Sequence, residues 1–260
     1  LYIQLGAQTL DRFRVCELIL KQHAALDWGS GWTVNTFVSH ASYLFHALRS
    51  SERSFLNLEN LRICSKATKL EKGSQLYIDV PGCPRPVSSY FQQGFANEVL
   101  INRLYLQENK GEQYDHWIQW LQSSLKVSSV PRLAYSDSHT STEFKYLIDH
   151  ESSTVFLKLL IDHWDSYSLH LNEFSSYRTG VTEELSQVVV ECLGDYKKPL
   201  NQTVLPLPEL RACSRASDTL HFLDIPDATD TRWLKLRLFG VIVSDSLAFY
   251  VGILKGLVEK

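Results

Sequence analysis

The sequence contains no methionine, and its first residue is Leu1. Because translation begins with methionine, we expect these 260 residues to be part of a longer protein. The sequence also lacks an apolar run close to the ~18 residues that a membrane-spanning helix requires, and its first residues lack the basic and apolar regions of a secretory signal peptide. We therefore expect no membrane partner.

Cysteine is scarce, and its five positions lie far apart: Cys16, Cys64, Cys83, Cys192 and Cys213. No two of them form a C-x-x-C pair, and an odd number argues against a framework of disulfides. The sequence therefore predicts reduced thiols in an intracellular protein, either cytoplasmic or nuclear.

An excess of positive charge is also absent. The 26 Lys and Arg residues are outnumbered by 29 Asp and Glu residues, which gives a net charge of −3. Proteins that bind nucleic acids usually carry a basic face and a domain pI above about 9. Nucleic acid is therefore disfavoured as a partner, although the two helices predicted at the start of the chain leave a winged-helix-like nucleic-acid-binding module open as an alternative.

The common motifs of catalytic and nucleotide-binding sites are missing. The sequence has no G-x-S-x-G nucleophile elbow, no glycine-rich phosphate loop and no D-x-G-x-G element of the kind used by GHKL-type ATPases. Its histidines, such as the pairs His40 and His46 or His163 and His170, miss the i, i+4 spacing of H-E-x-x-H. We therefore predict no catalytic, cofactor-binding or metal-binding residue, and no cofactor, in this part of the protein.

A hydrolase-type enzyme with an unrecognised pocket is the alternative. Asp162 and His163, together with a serine or cysteine brought close by the fold, would form a nucleophile arrangement. A structure in which these groups are dispersed would argue against this reading.

Apolar residues are abundant, and their spacing predicts a fold class. Hydrophobic residues make up 44% of the sequence and aromatic residues 12%, which is enough for a packed core. Apolar periodicity and turn residues predict an α+β fold of mixed helices and short antiparallel strands. The predicted helices are 1–26, 33–48, 112–125, 142–148, 155–169 and 246–258. The predicted strands are 61–64 and 75–80, and 184–193 is either strand or helix, with its three consecutive valines favouring strand.

Two sub-domains are predicted. Residues 1–126 form an N-terminal helical unit with a β-hairpin, whose two strands are separated by a basic turn from Lys69 to Gly73. Residues 127–260 form a mixed α+β unit. The polar stretch near 171–182 is a candidate for an internal boundary, because it separates two apolar patterns.

The stretch from Asp115 to Tyr167 holds three of the six tryptophans. We interpret it as core, because its aromatic residues recur on helical faces and Pro131 stiffens the extended link between two helices. Arg132 is the candidate for contact with a partner, since a guanidinium pairs with carboxylates or phosphates in a defined geometry. The predicted structural anchors are Trp117, Trp120, Pro131, Trp164, Tyr167 and Trp233.

Several short motifs resemble, in their order, those of one family. They are WIQWL at 117–121, VPRL at 130–133, TEFKYL at 142–147, HWDSY at 163–167, LPLPEL at 205–210, FLDIPD at 222–227 and the run from Trp233 to Val241. Over roughly residues 100–260, this order resembles the region downstream of the ATPase domain in large sacsin-like and NO VEIN-like proteins, especially fungal ones.

The resemblance implies a context for the chain. Proteins of this kind carry a GHKL-type ATPase domain towards their N-terminus, and that domain is not in this sequence. The chain would then be a non-catalytic segment of a large chaperone-like ATPase that serves as a scaffold, an inter-domain coupler or a client-binding surface. Its partners would be other domains of the same long chain and client proteins.

Overall fold

The chain divides into two compact units after Pro131. A computed structural model describes residues 11–25, 31–49, 56–81, 83, 85–109, 111–135, 139–173, 175–213 and 220–258. The sequence places the division after residue 126, a few residues earlier. Within the predicted internal boundary, residues 171–173 and 175–182 lie in two consecutive helices of the second unit.

The first unit contains five α-helices and two strands within its described residues. They are α1 (Arg12–Ala24), α2 (Val34–Arg49), β1 (Arg62–Cys64), β2 (Leu70–Lys72), α3 (Gln93–Val99), α4 (Arg103–Gln107) and α5 (Tyr114–Ser123).

The second unit has more helices and two further strand pairs within its described part. Its elements are α6 (Thr142–His150), α7 (Ser153–Asp162), α8 (Trp164–Glu173), α9 (Ser175–Ser186), β3 (Val189–Cys192), β4 (Tyr196–Pro199), β5 (Thr203–Val204), α10 (Pro208–Cys213), β6 (His221–Phe222) and α11 (Leu247–Val258), with a long 3-10 helix at Thr231–Phe239. The predicted α+β class is therefore confirmed. No helix in the described ranges is both long and apolar enough to span a bilayer.

Within the described residues, α1 and α2 lie inside or within one residue of the predicted helices 1–26 and 33–48, but Asp11 is extended and precedes α1, and residues 1–10 and 26 lie outside the described residues. The Asp11 carboxylate caps α1 by accepting the backbone N–H of Arg14 at 2.6 Å, and the Thr33 hydroxyl accepts the N–H of Thr36 at 3.4 Å as α2 begins. The apolar stripe of each helix is buried in one shared core, which includes Cys16, Ile19 and Leu20 from α1 and Phe37, Ala41, Leu44 and Phe45 from α2.

The predicted hairpin forms, but its second strand lies earlier than expected. β1 pairs antiparallel with β2, and Arg62 lies opposite Lys72. The chain reverses at Thr68, whose backbone has a φ of +63° and whose N–H donates to the Ser65 carbonyl at 3.0 Å. The predicted basic turn is therefore itself the strand. The strand contains Glu71 and Lys72, and glutamate and lysine are uncommon in strands. The composition of this segment therefore did not indicate a strand.

The predicted second strand, 75–80, is extended without a continuous ladder. Tyr77 forms single bridges with Leu100 and with Ser128. Its N–H donates to the Val99 carbonyl at 2.8 Å, and its own carbonyl accepts the N–H of Ile101 at 3.0 Å. This segment therefore lies between two other parts of the first unit.

The predicted helix 155–169 is two helices. α7 ends at Asp162, and His163 leaves the helical region with φ −111° and ψ 22° before α8 begins at Trp164. The N–H of Tyr167 still donates to the His163 carbonyl at 3.1 Å. Apolar spacing continues across this bend, so the sequence pattern does not reveal it.

The start of α7 is tied to β3. The Ser153 hydroxyl accepts the backbone N–H of Glu191 at 3.0 Å and donates to the Glu191 carboxylate at 3.2 Å. Thr154 donates to the Asp224 carbonyl at 3.1 Å. Ser153 therefore joins the first turn of α7 to β3.

An isolated bridge joins the two strand pairs of the second unit to each other. β3 pairs antiparallel with β4, whereas β5 pairs parallel with β6. A bridge between Cys192 and Leu223 connects the two pairs, and Ile242 adds a parallel bridge to Val204. The parallel pair differs from the predicted antiparallel strands, and only the end of the predicted 184–193 strand is extended, because α9 continues to Ser186.

We expect Gly73→Ala to destabilise the first unit by about 2–3 kcal/mol, because a Cβ at this position would lie 2.2 Å from the carbonyl oxygen of Leu125. The matched control is Gly94→Ala in α3, where a Cβ would meet nothing within 4 Å. This control should be neutral or stabilising by up to about 1 kcal/mol. Urea unfolding, followed by hydrogen exchange of the α2 and α5 amides, measures the change in unfolding free energy of each variant. Equal destabilisation by the two substitutions would contradict the close approach.

Candidate functional site

The predicted anchors of the first unit pack side by side. Trp117 is fully buried, and its indole Nε1–H donates to the Tyr105 carbonyl at 2.7 Å. Trp120 is half-buried and stacks on Trp117, with ring centroids 5.3 Å apart. Phe45 meets both indoles edge-on. These rings form part of the packed interior between α2 and α5.

The predicted anchors of the second unit are buried to different extents. Trp233 and Tyr167 are buried, whereas Trp164 is half-buried. The Trp164 ring meets Phe239 edge-on at 6.1 Å, and Tyr167 meets Phe144 at 6.1 Å. Both contacts bring α8 against neighbouring elements of the same unit.

Pro131 and Arg132 lie at the division between the units. Pro131 is buried, and the Arg132 side chain is half-buried. The Arg132 carbonyl accepts a hydrogen bond from the Ser141 hydroxyl, which in turn accepts the N–H of Phe144 at 3.0 Å as the N-cap of α6. The backbone of Arg132 is therefore part of the start of α6, and the role of its guanidinium in partner contact stays a prediction.

Among the described residues, Asp162 and His163, which the hydrolase alternative combines, contact different partners. Asp162 instead pairs with Arg232 at 2.7 Å and with Lys158 at 3.3 Å. Arg232 also forms a bidentate pair with Asp230. Burial lowers the pKa of His163, whose ring meets Tyr167 edge-on. Among the described residues, the carboxylate is thus engaged by cations and not by the adjacent histidine.

A second histidine and carboxylate meet between the loop before α6 and α9. The Glu184 carboxylate lies 2.7 Å from the His139 Nδ1 atom, accepts the backbone N–H of Thr140 at 2.8 Å and lies 3.6 Å from the Lys145 ammonium. Burial opposes ionisation, but the hydrogen bonds from Thr140 and His139 and the charge of Lys145 outweigh it, and the pKa of Glu184 falls to about 2. Glu184 is therefore a fixed anion that holds the loop on α9, and it can orient the exposed His139 ring.

Metal binding is not supported by side-chain clusters in the described part of the chain. No group of three or more His, Cys, Asp or Glu side chains converges there in a way that could hold an ion.

Helix α11 presents the most distinctive surface of the second unit. Phe249 on one face is fully buried, and Ile253 on that face packs beside it against Val204 and Leu210. The opposite face is open, with Leu247 81% exposed, Leu254 60%, Tyr250 46% and Val251 39%. Large apolar side chains therefore lie on both faces of one helix.

The exposed side chains follow one helical stripe, which we name the α11 stripe: Leu247, Tyr250, Val251 and Leu254. Their spacing of i, i+3, i+4 and i+7 places them on a single face. A peptide helix that docks into an apolar groove uses the same spacing for its anchors. None of the four side chains carries a charge, so this face is suited to contact with another apolar surface.

The sequence predicts α11 but not this surface. A helix that is apolar all round is usually read as buried, and Leu247–Val258 has one charged residue in twelve. The available signal was that a helix of this composition has two apolar faces, only one of which can pack on a single core.

Comparisons with known proteins add no relative: no protein-family model, no curated protein and no solved structure matches the chain.

The two faces of α11 predict opposite outcomes for truncation. Phe249→Ala should destabilise the second unit by about 3–5 kcal/mol, because it empties a buried site. Leu254→Ala should change stability by less than about 0.5 kcal/mol, because its side chain is already largely in solvent. Hydrogen exchange of the β5 and α10 amides measures the stability of each variant. A similar loss of protection in both variants would contradict the burial pattern.

Glu184→Gln should make the second unit less dependent on pH. The folded-state pKa of about 2 lies below the usual 4.5, so the stabilisation by the carboxylate is complete above pH 4.5 and is lost as the pH falls towards 2. Hydrogen exchange in α9 between pH 2 and 5 should therefore show a steeper loss of protection in the wild type than in the variant. Glu183→Gln, at an exposed neighbouring position, is the control and should keep the wild-type slope.

Proposed function

We propose that the chain is a non-catalytic protein-interaction segment and that the α11 stripe is its contact surface. The observation that carries the proposal is the exposure of four large, uncharged side chains at helical spacing on a helix whose other face is in the core. Exposed apolar patches of this kind mark interaction sites more often than isolated surface residues do.

The size of the stripe favours a covalently linked partner. Its four side chains expose on the order of 400 Å², and covering them from both sides would bury roughly 800 Å². This area is below the about 1,200 Å² at which stable complexes between separate proteins begin. It lies within the roughly 600–1,500 Å² typical of interfaces between domains of one chain.

Linkage in one polypeptide makes such a small contact effective. A domain held on the same chain stays at an effective concentration of about a millimolar, so a weak interface is still populated. A separate protein or a second copy of this chain would need additional contact area.

The chemistry of the partner follows from the stripe. Because the stripe lacks charged residues, a charged partner surface would lose its hydration without gaining an ion pair. The partner surface we propose is therefore apolar and belongs to another domain of the same long polypeptide. This assignment agrees with the scaffold or coupling role that the resemblance to chaperone-like ATPases implies.

Photo-crosslinking in the full-length protein tests this proposal. A benzoylphenylalanine introduced at Leu254 should crosslink to a site in the same polypeptide outside these 260 residues, and mass spectrometry should map it to an apolar segment. The same probe at Lys235, an exposed position on the 3-10 helix Thr231–Phe239, should give no such product.

Three results would overturn the proposal. They are crosslinking of Leu254 to a second copy, crosslinking to a different protein, and a yield no higher than that from Lys235. The expected product has an internal crosslink and runs as a monomer on a denaturing gel, which distinguishes it from the first two results.

A further inference from the structure

Two histidines meet inside the first unit. His23, in the last turn of α1, is only 1% exposed, and His40 on α2 is half-buried. The Nε2 atom of His23 lies 3.1 Å from the Nδ1 atom of His40. The Nδ1 atom of His23 accepts the backbone N–H of Arg62, in β1, at 3.0 Å. The His23 ring therefore connects three elements.

The backbone contact determines where the protons lie. The Arg62 N–H can only donate, so the Nδ1 atom of His23 must be unprotonated. A neutral His23 then carries its proton on Nε2 and donates it to the Nδ1 atom of His40. The chain of hydrogen bonds from β1 to α1 to α2 is satisfied in one protonation state, with both rings neutral.

The walls around the pair are aromatic. Trp32 lies 5.4 Å from the His23 ring and 5.0 Å from the His40 ring, and Phe37 lies 5.4 Å from His23 on another side. Within the described residues, neither imidazole has a carboxylate as a hydrogen-bond partner. A positive charge on His23 would therefore lose water without gaining a counter-ion.

The charges of His40 and Arg62 also oppose protonation of His23. The elements that pack on α1 contribute His40 from α2, Arg62 from β1 and the exposed Glu59 from the 3-10 helix Leu58–Asn60, while Lys21 shares the last turn of α1. Burial, followed by the charges of His40 and Arg62, lowers the pKa of His23 to about 4, and burial lowers the pKa of His40 as well.

We propose that His23 and His40 form an acid-sensitive latch, which holds the end of α1 on α2 and β1 while both rings are neutral and releases it when His23 is protonated. The added proton goes to the Nδ1 atom of His23. Once protonated, Nδ1 is itself a donor and can no longer accept the Arg62 N–H, so this hydrogen bond breaks. Protonated His23 then lies beside aromatic rings and the His40 ring without a counter-ion. Exposing the last turn of α1 to water relieves both the lost hydrogen bond and the unsolvated charge.

The direction of the pH effect follows from the two states. Released His23 takes up its proton near its usual pKa of 6.5, whereas latched His23 does so only near 4. The latched state is therefore favoured fully above pH 6.5 and loses its advantage as the pH falls between these values.

Hydrogen exchange of the whole chain between pH 7 and 4, corrected for intrinsic exchange rates, tests the latch. Protection of the α1 amides should fall at least tenfold more than protection of the α5 amides. His23→Gln keeps one of the two hydrogen bonds and cannot titrate, so its α1 protection should change less than about twofold with pH, relative to α5. His116→Gln, at an exposed histidine on α5, is the matched control and should behave as the wild type.

A measurement on the wild type alone keeps the test decisive if His23→Gln does not fold. Two-dimensional nitrogen NMR at pH 7 should show His23 with an unprotonated Nδ1, and its titration midpoint should lie near pH 4. A His23 midpoint near 6.5, or equal loss of protection in α1 and α5, would overturn the latch. A pH dependence of α1 that persists unchanged in a folded His23→Gln variant would also overturn it.

Discussion

The need to pair buried polar groups is the constraint on which the first unit depends. Trp117 is fully buried, so its indole N–H must find an acceptor, and it finds the Tyr105 carbonyl. Tyr105 is buried as well, and its hydroxyl accepts the backbone N–H of Cys64 at 3.3 Å. These two contacts connect α5, α4 and β1, and the short elements between α2 and α5 are positioned around them. The His23 ring meets the same requirement at the other end of β1.

Several buried or half-buried polar groups of the second unit are paired through side chains of loops and helix starts. Ser153 exchanges two hydrogen bonds with Glu191, and Ser141 joins the Arg132 carbonyl to the start of α6. Glu184 holds the loop before α6 onto α9. Strands of two to four residues cannot organise a unit through their ladders alone. The two strand pairs of this unit are therefore stabilised by the helices that are anchored to them, which accounts for a fold rich in helix but still of the α+β class.

Prediction from sequence succeeded where one local signal determined the structure. Thr33 precedes an apolar helical pattern, and α2 follows it. It failed where the deciding contact is distant in sequence. Leu70–Lys72 is a strand because β1 lies beside it, and His163 ends α7 although the apolar spacing continues. The histidine latch was missed for the same reason: His23 and His40 lie seventeen residues apart, and Arg62 is farther still. Periodicity placed α11, but it could not say which of two apolar faces would have no neighbour in the unit.

The two proposed sites put different demands on the fold. The latch depends on burial, because in water its two histidines would titrate like ordinary imidazoles. The α11 stripe depends on exposure, because a partner can cover only surface that the unit leaves open. In the proposed contact, α11 packs Phe249 on the core of its own unit and Leu254 on the partner surface. The composition of α11 is thus unfavourable for an isolated unit in water and favourable for a unit that is held against another domain.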